Sequence, residues 1–237
     1  MKIHVYIAKN HPVSRRKAEQ RVEEGRITVD GVVAHRGQVI QGDEVVKMDD
    51  EVIAAKQVDQ RLLILNKPVG YVSSHVDQGS VPSVMQLLPK LSEGRWMLVG
   101  RLDIATSGLL LVSNDGQLVQ KLAHPSSGYE RIYIVRVSGL LTDGEINRLK
   151  KGLEFEEGRV AFKHITPLRK KSSGRNHWYR VSLSQGRYRM IRRMFAELDM
   201  EVSRLKRIQF GPFILADRLK EGTFDEVDQQ WLARILK

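Results

Sequence analysis

Apolar and polar positions along this chain change period several times, and each change marks an element. Near the N-terminus, Ala18 and Val22 recur one helical turn apart among Arg15, Arg16, Lys17 and Arg21. That spacing predicts an amphipathic helix over residues 15–24, with Ser14 as N-cap and Gly25 as its stop. Ile27, Thr28 and Val29 then alternate, Asp30-Gly31 makes a hairpin turn, and Val32-Val33 returns. A second turn at 41–43 precedes a short stretch over 44–47. Between 52 and 60 large apolar residues thin out, which predicts a linker.

Beyond it the pattern becomes strand-like. Residues 62–65 form a continuous apolar run that Pro68 cannot extend, and residues 109–112 form a second one. Residues 117–124 predict a short helix ended by Pro125. Residues 130–137 alternate, with Tyr133, Val135 and Val137 on one face and Ile132, Ile134 and Arg136 on the other. Thr142 caps a helix that runs to Lys151 and stops at Gly152. Residues 155–166 predict a pair of strands around Glu157-Gly158, residues 169–176 a polar basic loop, and 178–183 another strand. A helix is expected over 188–198, a basic strand over 202–210 and a closing helix over 224–236. The predicted class is α+β. A small N-terminal module covers 1–58, and a larger domain over 59–237 holds a mixed, mainly antiparallel sheet flanked by helices.

Composition adds the partner. The 237 residues are 41% hydrophobic, enough for a sizeable core, yet 39 Lys and Arg face 28 Asp and Glu for a net charge of +11. Such a balance favours a polyanion, nucleic acid above all. With no cysteine, disulfides, thiolate catalysis and cysteine-held metals are excluded. The seven histidines lack ligand spacing, so no metal is expected. The N-terminus lacks a signal-peptide pattern and no apolar run reaches membrane-spanning length, so a cytoplasmic, monomeric protein without a membrane partner is expected.

Four segments carry candidate chemistry. In Gly100-Arg101-Leu102-Asp103, followed by Thr106-Ser107-Gly108, a carboxylate sits beside an arginine in a turn that opens into a buried strand. Such an aspartate is most often a turn-former, but it can also be a nucleophile kept ionised by a guanidinium. Lys67-Pro68-Val69-Gly70 ends a strand, and alone it is a common loop. Tyr133 lies on an apolar face, where a tyrosine is usually core. The segment 186–195 carries Arg187, Arg189, Arg192 and Arg193. Arg189 and Arg193 stand four residues apart and Ile191 and Phe195 face the core, an arrangement suited to gripping phosphates. Arg192 lies nearest the buried side and could pair with a carboxylate.

In order and spacing these segments resemble the bacterial ribosomal RNA pseudouridine synthases that carry an N-terminal S4 domain (the RsuA/RluB type). Residues 14–18 and 25–31 resemble the S4 RNA-binding motif, and the likeness covers nearly the whole chain. Asn66-Lys67-Pro68-Val69-Gly70 resembles the first catalytic motif. Residues 88–91, 124–126, 176–179 and 202–205 look most like the large-subunit enzyme. Met190 departs from the pattern, standing where many relatives carry Gln or another polar residue. The resemblance implies that Asp103 is the catalytic residue, Tyr133 the active-site tyrosine and Arg192 the basic partner of Asp103, and that the reaction needs no cofactor. It implies that Leu205 packs beside the target base, which must leave its stack in a hairpin or loop of ribosomal RNA. Expected substrate contacts are Lys67, Arg101, Arg187, Arg189, Leu205 and Arg193. Expected RNA contacts are Arg15, Arg16, Lys17, Arg21, Arg204, Lys206 and Arg207. The competing expectations are a non-catalytic RNA-binding or ribosome-assembly factor and a small-subunit rRNA synthase. A phosphate-binding metabolic enzyme would need a glycine-rich phosphate loop, which the chain lacks.

Overall fold

The computed structural model describes residues 1–55, 59–169 and 174–235. The chain divides into two units, residues 1–59 with 91–95, and residues 60–90 with 96–237.

The first unit begins with α1 (Ile3–Asn10) and α2 (Arg15–Glu23), followed by β1 (Ile27–Val29), β2 (Val32–Val33), β3 (Val46–Met48) and β4 (Glu51–Val52). In α1 the buried positions Ile3, Tyr6, Ile7 and Asn10 follow helical spacing. α2 starts where expected, with the Ser14 hydroxyl accepting from the Lys17 N–H at 3.2 Å. The four strands are antiparallel in the order β2-β1-β3-β4. Asp30 and Gly31 both take positive φ (49° and 83°), as a two-residue hairpin of this twist requires. Ile3, Ile7, Ala18, Val22, Ile27 and Val46 close the core. Two expectations are corrected here. Glu44 is not in a strand: its carboxylate accepts from the Gln41 and Gly42 N–H groups of the turn, which lowers its pKa to about 2. Val52 belongs to β4 and Ile53 is buried in this core, so the expected linker begins later; residues 56–58 lie outside the described residues.

The second unit contains β5 (Leu62–Lys67), β6 (Met97–Val99), β7 (Ser107–Ser113), α3 (Gly116–Ala123), β8 (Arg131–Ser138), α4 (Asp143–Lys151), β9 (His164–Leu168), β10 (Asn176–Leu183), α5 (Met190–Ala196), β11 (Val202–Phe210), β12 (Phe213–Ile214), β13 (Phe224–Glu226) and α6 (Gln229–Ile235). Its sheet runs β13-β5-β7-β11-β8-β10-β9, with β6 added to β7 and β12 to β11. Every pairing is antiparallel except β7 with β11. β7 is buried at all seven positions, which is why its sequence is a continuous apolar run instead of an alternating one. α4 carries a complete capping box between Thr142 and Glu145.

Gly108 explains one part of the opening motif. Its φ is +102°, and a β-carbon there would lie 2.1 Å from the backbone oxygen of Arg207 on β11. Only glycine permits β7 and β11 to come this close.

Three more expectations are corrected. The stretch around Glu157-Gly158 is a turn, closed by Gly158 N–H to Phe155 O and a single Leu153–Val160 bridge; the one strand there is β9. Tyr188 and Arg189 precede α5 instead of opening it, because Arg189 is left-handed (φ 46°). Residues 224–226 form an edge strand, and the closing helix is confined to α6, with Leu236 outside the described residues. The basic loop over 169–176 gives way to β10 at Asn176, and its residues 170–173 lie outside the described residues.

Candidate active site

The turn after β6 is fixed almost atom by atom. Ser73 donates to the Leu102 carbonyl (2.8 Å) and accepts from the Leu102 N–H (3.1 Å). Asp103 O accepts from the Thr106 N–H, and Ile104 O from the Gly70 N–H. Lys67, fully buried, points its ammonium into the same turn and donates to Pro68 O, Asp103 O, Ile104 O and Thr106 O at 2.9–3.5 Å. Arg192 Nη2 donates to Ala105 O (2.9 Å) and Nη1 to Val202 O (2.6 Å). The backbone of the turn is thus held by the protein, and none of these donors is used on the Asp103 carboxylate. That group is half-buried, has no ion pair within 4 Å among the described residues, and borders a cavity of about 210 Å³.

The register of the β8–β11 ladder shapes the cavity. Tyr133 lies opposite Arg207, and Val135 opposite Leu205. Tyr133 and Leu205 are nearly buried and line the cavity with Asp103, Thr106 and Met190. Met190, buried, adds to the apolar wall. Arg101, Arg187 and Arg189 border the opening, with Arg101 and Arg189 exposed. The volume falls below the roughly 300–1,000 Å³ of sites for drug-sized ligands and suits one heterocyclic base.

Several expected contacts are redistributed. Lys67 cannot touch a substrate, because it is enclosed by carbonyls. Burial lowers its pKa to about 8, while the nearby Asp103 charge opposes that shift. Arg192 makes no direct ion pair with Asp103. Burial lowers its pKa, the neighbouring Arg189 charge adds to this, and the field of Asp103 opposes it. Arg193 is committed elsewhere, in a bidentate pair with Glu157 (2.8 and 3.0 Å) and over the Phe155 ring. Arg207 is not a surface phosphate contact: it is 3% exposed, with Nε bonded to Leu109 O (2.7 Å). Arg21 and Lys206 face Glu24 and Glu221 at 3.8 Å, whereas Arg15, Arg16, Lys17 and Arg204 are exposed. Ser73 and Arg131 were missed. Ser73 sits in a run of small polar residues, and Arg131 reads as one more basic strand residue; nothing local distinguishes either.

A carboxylate without internal partners among the described residues, beside a base-sized cavity in an α+β sheet unit, has the arrangement of a candidate active site. Residues 61–197 match the family model described as RNA pseudouridylate synthase. The chain belongs to that family. Among curated relatives, it is 40% identical over 220 residues to the Ribosomal large subunit pseudouridine synthase B of Pseudomonas aeruginosa, covering 92% of this chain and 57% of that protein. It thus spans little more than half of that relative's length. The protein of the same name from Buchnera aphidicola is 38% identical over 226 residues, covering 94% of this chain and 88% of its own. The Escherichia coli K12 protein of that name is 39% identical over 222 residues, covering 91% and 75%. A crystal structure of a pseudouridylate synthase shares the fold, with a TM-score of 0.67, 24% identity and 99% coverage of both chains.

Proposed function

We propose that this protein converts a specific uridine of ribosomal RNA, in the large subunit, to pseudouridine, with Asp103 as the reacting carboxylate. The observation that carries this reading is the contrast within one turn. The backbone around Asp103 is pinned by Lys67, Ser73, Gly70 and Arg192, yet its carboxylate is left free at the cavity. Positioning without internal consumption is what a nucleophile or base requires.

The target uridine would leave its stack and enter the cavity against Tyr133 and Leu205. Asp103 then adds to the base or to C1′ of the sugar, or takes a sugar proton. Arg192 acts through its field and through the Ala105 carbonyl, as a positioning residue. Arg101, Arg187 and Arg189 at the rim would meet phosphates and offset the cost of unstacking, a few kcal/mol. Residues 1–58 serve as the S4-like RNA-binding domain, with Arg15, Arg16 and Lys17 exposed on α2. The protein acts as a cytoplasmic monomer.

Asp103→Asn tests the assignment. Product should vanish while RNA affinity changes less than about threefold; turnover by the variant would sink it. Mapping pseudouridines in ribosomal RNA from cells with and without this protein identifies the uridine and decides between the subunits.

A further inference from the structure

Arg207 lines the cavity, is 3% exposed, and has no acidic partner within 4 Å among the described residues. Its Nε is used on Leu109 O, but its buried Nη2 has no hydrogen-bond partner among the described residues. Arg131 stands beside it in the cavity wall, two residues before Tyr133 on β8 and so on the same face. Both guanidinium groups lie over the ring of Phe210, at 5.4 Å for Arg207 and 4.8 Å for Arg131. Arg131 donates to Tyr129 O (3.1 Å) and Ser184 O (2.7 Å). No ion pair among the described residues includes either arginine. A guanidinium cannot shed its proton to escape this environment. A buried cation beside a half-buried one, without counter-charge among the described residues, is costly, and apolar residues of similar volume would often serve the stability of the fold as well or better.

We propose that Arg207, supported by Arg131, takes up the negative charge that develops on the carbonyl oxygens of the target uracil during its detachment. The inference rests on the pseudouridine reading above and adds a group to that same site. The register places Arg207 directly opposite Tyr133, so a base held against Tyr133 lies beside the guanidinium. The buried Thr106 hydroxyl, also in the wall, likewise has no partner among the described residues and supplies a second polar group. The exposed Arg101 and Arg189 at the rim suit phosphates; a buried cation suits a ring that becomes anionic only as it reacts.

The charge arises by every route open to Asp103. Addition of the carboxylate at C6 moves the C5–C6 electron pair toward O4. Cleavage of N1–C1′ leaves the bond pair on the base, shared by N1, O2 and O4; C1′ becomes an oxocarbenium centre, is taken by the carboxylate, or enters a C1′=C2′ double bond as C2′ gives its proton to the carboxylate. When C5 bonds to C1′, the carboxylate is released or the C2′ proton returned. The proton lost from C5 is matched by one gained at N1. The base is therefore anionic in the middle of the reaction and neutral at both ends.

The test uses the full chain and a ribosomal RNA hairpin carrying the target as uridine, 2-thiouridine or 4-thiouridine. Sulfur accepts hydrogen bonds poorly. Wild type should slow at least tenfold in single turnover on one of the thio substrates. Arg207→Gln should lose about 10²-fold on the uridine RNA, keep its RNA affinity within about threefold, and lose the thio discrimination. A thio penalty retained in the variant, or affinity falling in step with rate, overturns the proposal. If Arg207→Gln does not fold, Arg131→Gln and the wild-type thio series decide, and a wild type indifferent to both sulfurs overturns it alone. A wild type inactive on the uridine RNA sinks the function itself, a result distinct from activity with an unchanged thio penalty.

Discussion

Lys67 has the least familiar role of any residue here. A lysine in a strand-end loop reads as a cation for phosphate, but this one is 0% exposed and bonded to four carbonyls. Because its pKa is about 8 when folded and near 10.5 when unfolded, the unfolded chain binds more protons between those values. Stability contributed by this site therefore rises with pH across that window. The wild type should gain about 2 kcal/mol relative to Lys67→Met between pH 8 and pH 10. Denaturant titrations at several pH values check the slope, and equal slopes in the two proteins would remove Lys67 from the account. Asp103, Tyr133 and Leu205 were singled out in the sequence by motif spacing, and all three line one cavity. Lys67 and Arg207 were misread because a side chain's burial depends on strands far away in the chain.

At the level of elements, β7 and β11 form the junction on which the cavity depends. The Thr-Ser-Gly segment after Asp103 looked like turn chemistry, yet Ser107 and Gly108 lie inside a strand. Gly108 is required by the approach of the Arg207 backbone, which no local pattern reveals. Gly108→Ala should cost about 3 kcal/mol or more, combining an unfavourable positive φ with a backbone clash. Thermal melts would show it, and a loss below about 0.5 kcal/mol would mean that the two strands separate easily. Helix and strand identities were largely legible, since apolar periodicity reports burial directly. The start of α5 was not, because Arg189 adopts a left-handed conformation that an arginine rarely takes and that arginine-rich helical spacing conceals. The edge strand at 224–226 was also hidden, since its three residues are too few to show a period.

At the scale of the whole molecule, the charge of +11 is divided between two tasks. Part of it is withdrawn from the surface, in the buried Lys67 and Arg207 and the half-buried Arg131 and Arg192, and contributes less to attracting RNA from solution. The exposed part, including Arg101, Arg189 and Arg204, should set the salt dependence of RNA binding. Arg101→Ala should flatten the slope of log affinity against log salt by about 0.7–0.9, one phosphate's worth. Arg207→Gln should leave that slope unchanged. Filter binding across a range of salt concentrations separates the two, and a flattened slope for Arg207→Gln would place that residue on the phosphate backbone. Composition alone gave the sign of the partner but not this division, because net charge counts buried and exposed arginines alike.

The bond from Arg207 to the Leu109 carbonyl closes a separation of 98 residues, and the strand beside it completes the cavity wall. Contacts this distant in sequence form late. During synthesis on the ribosome, Asp103 and Tyr133 emerge well before Leu205 and Arg207, and the cavity has no floor until β11 has followed them. A nascent chain halted before residue 202 carries the reactive carboxylate but no place for a base. The wall that Leu205 and Arg207 give to the cavity is therefore absent until β11 has been made.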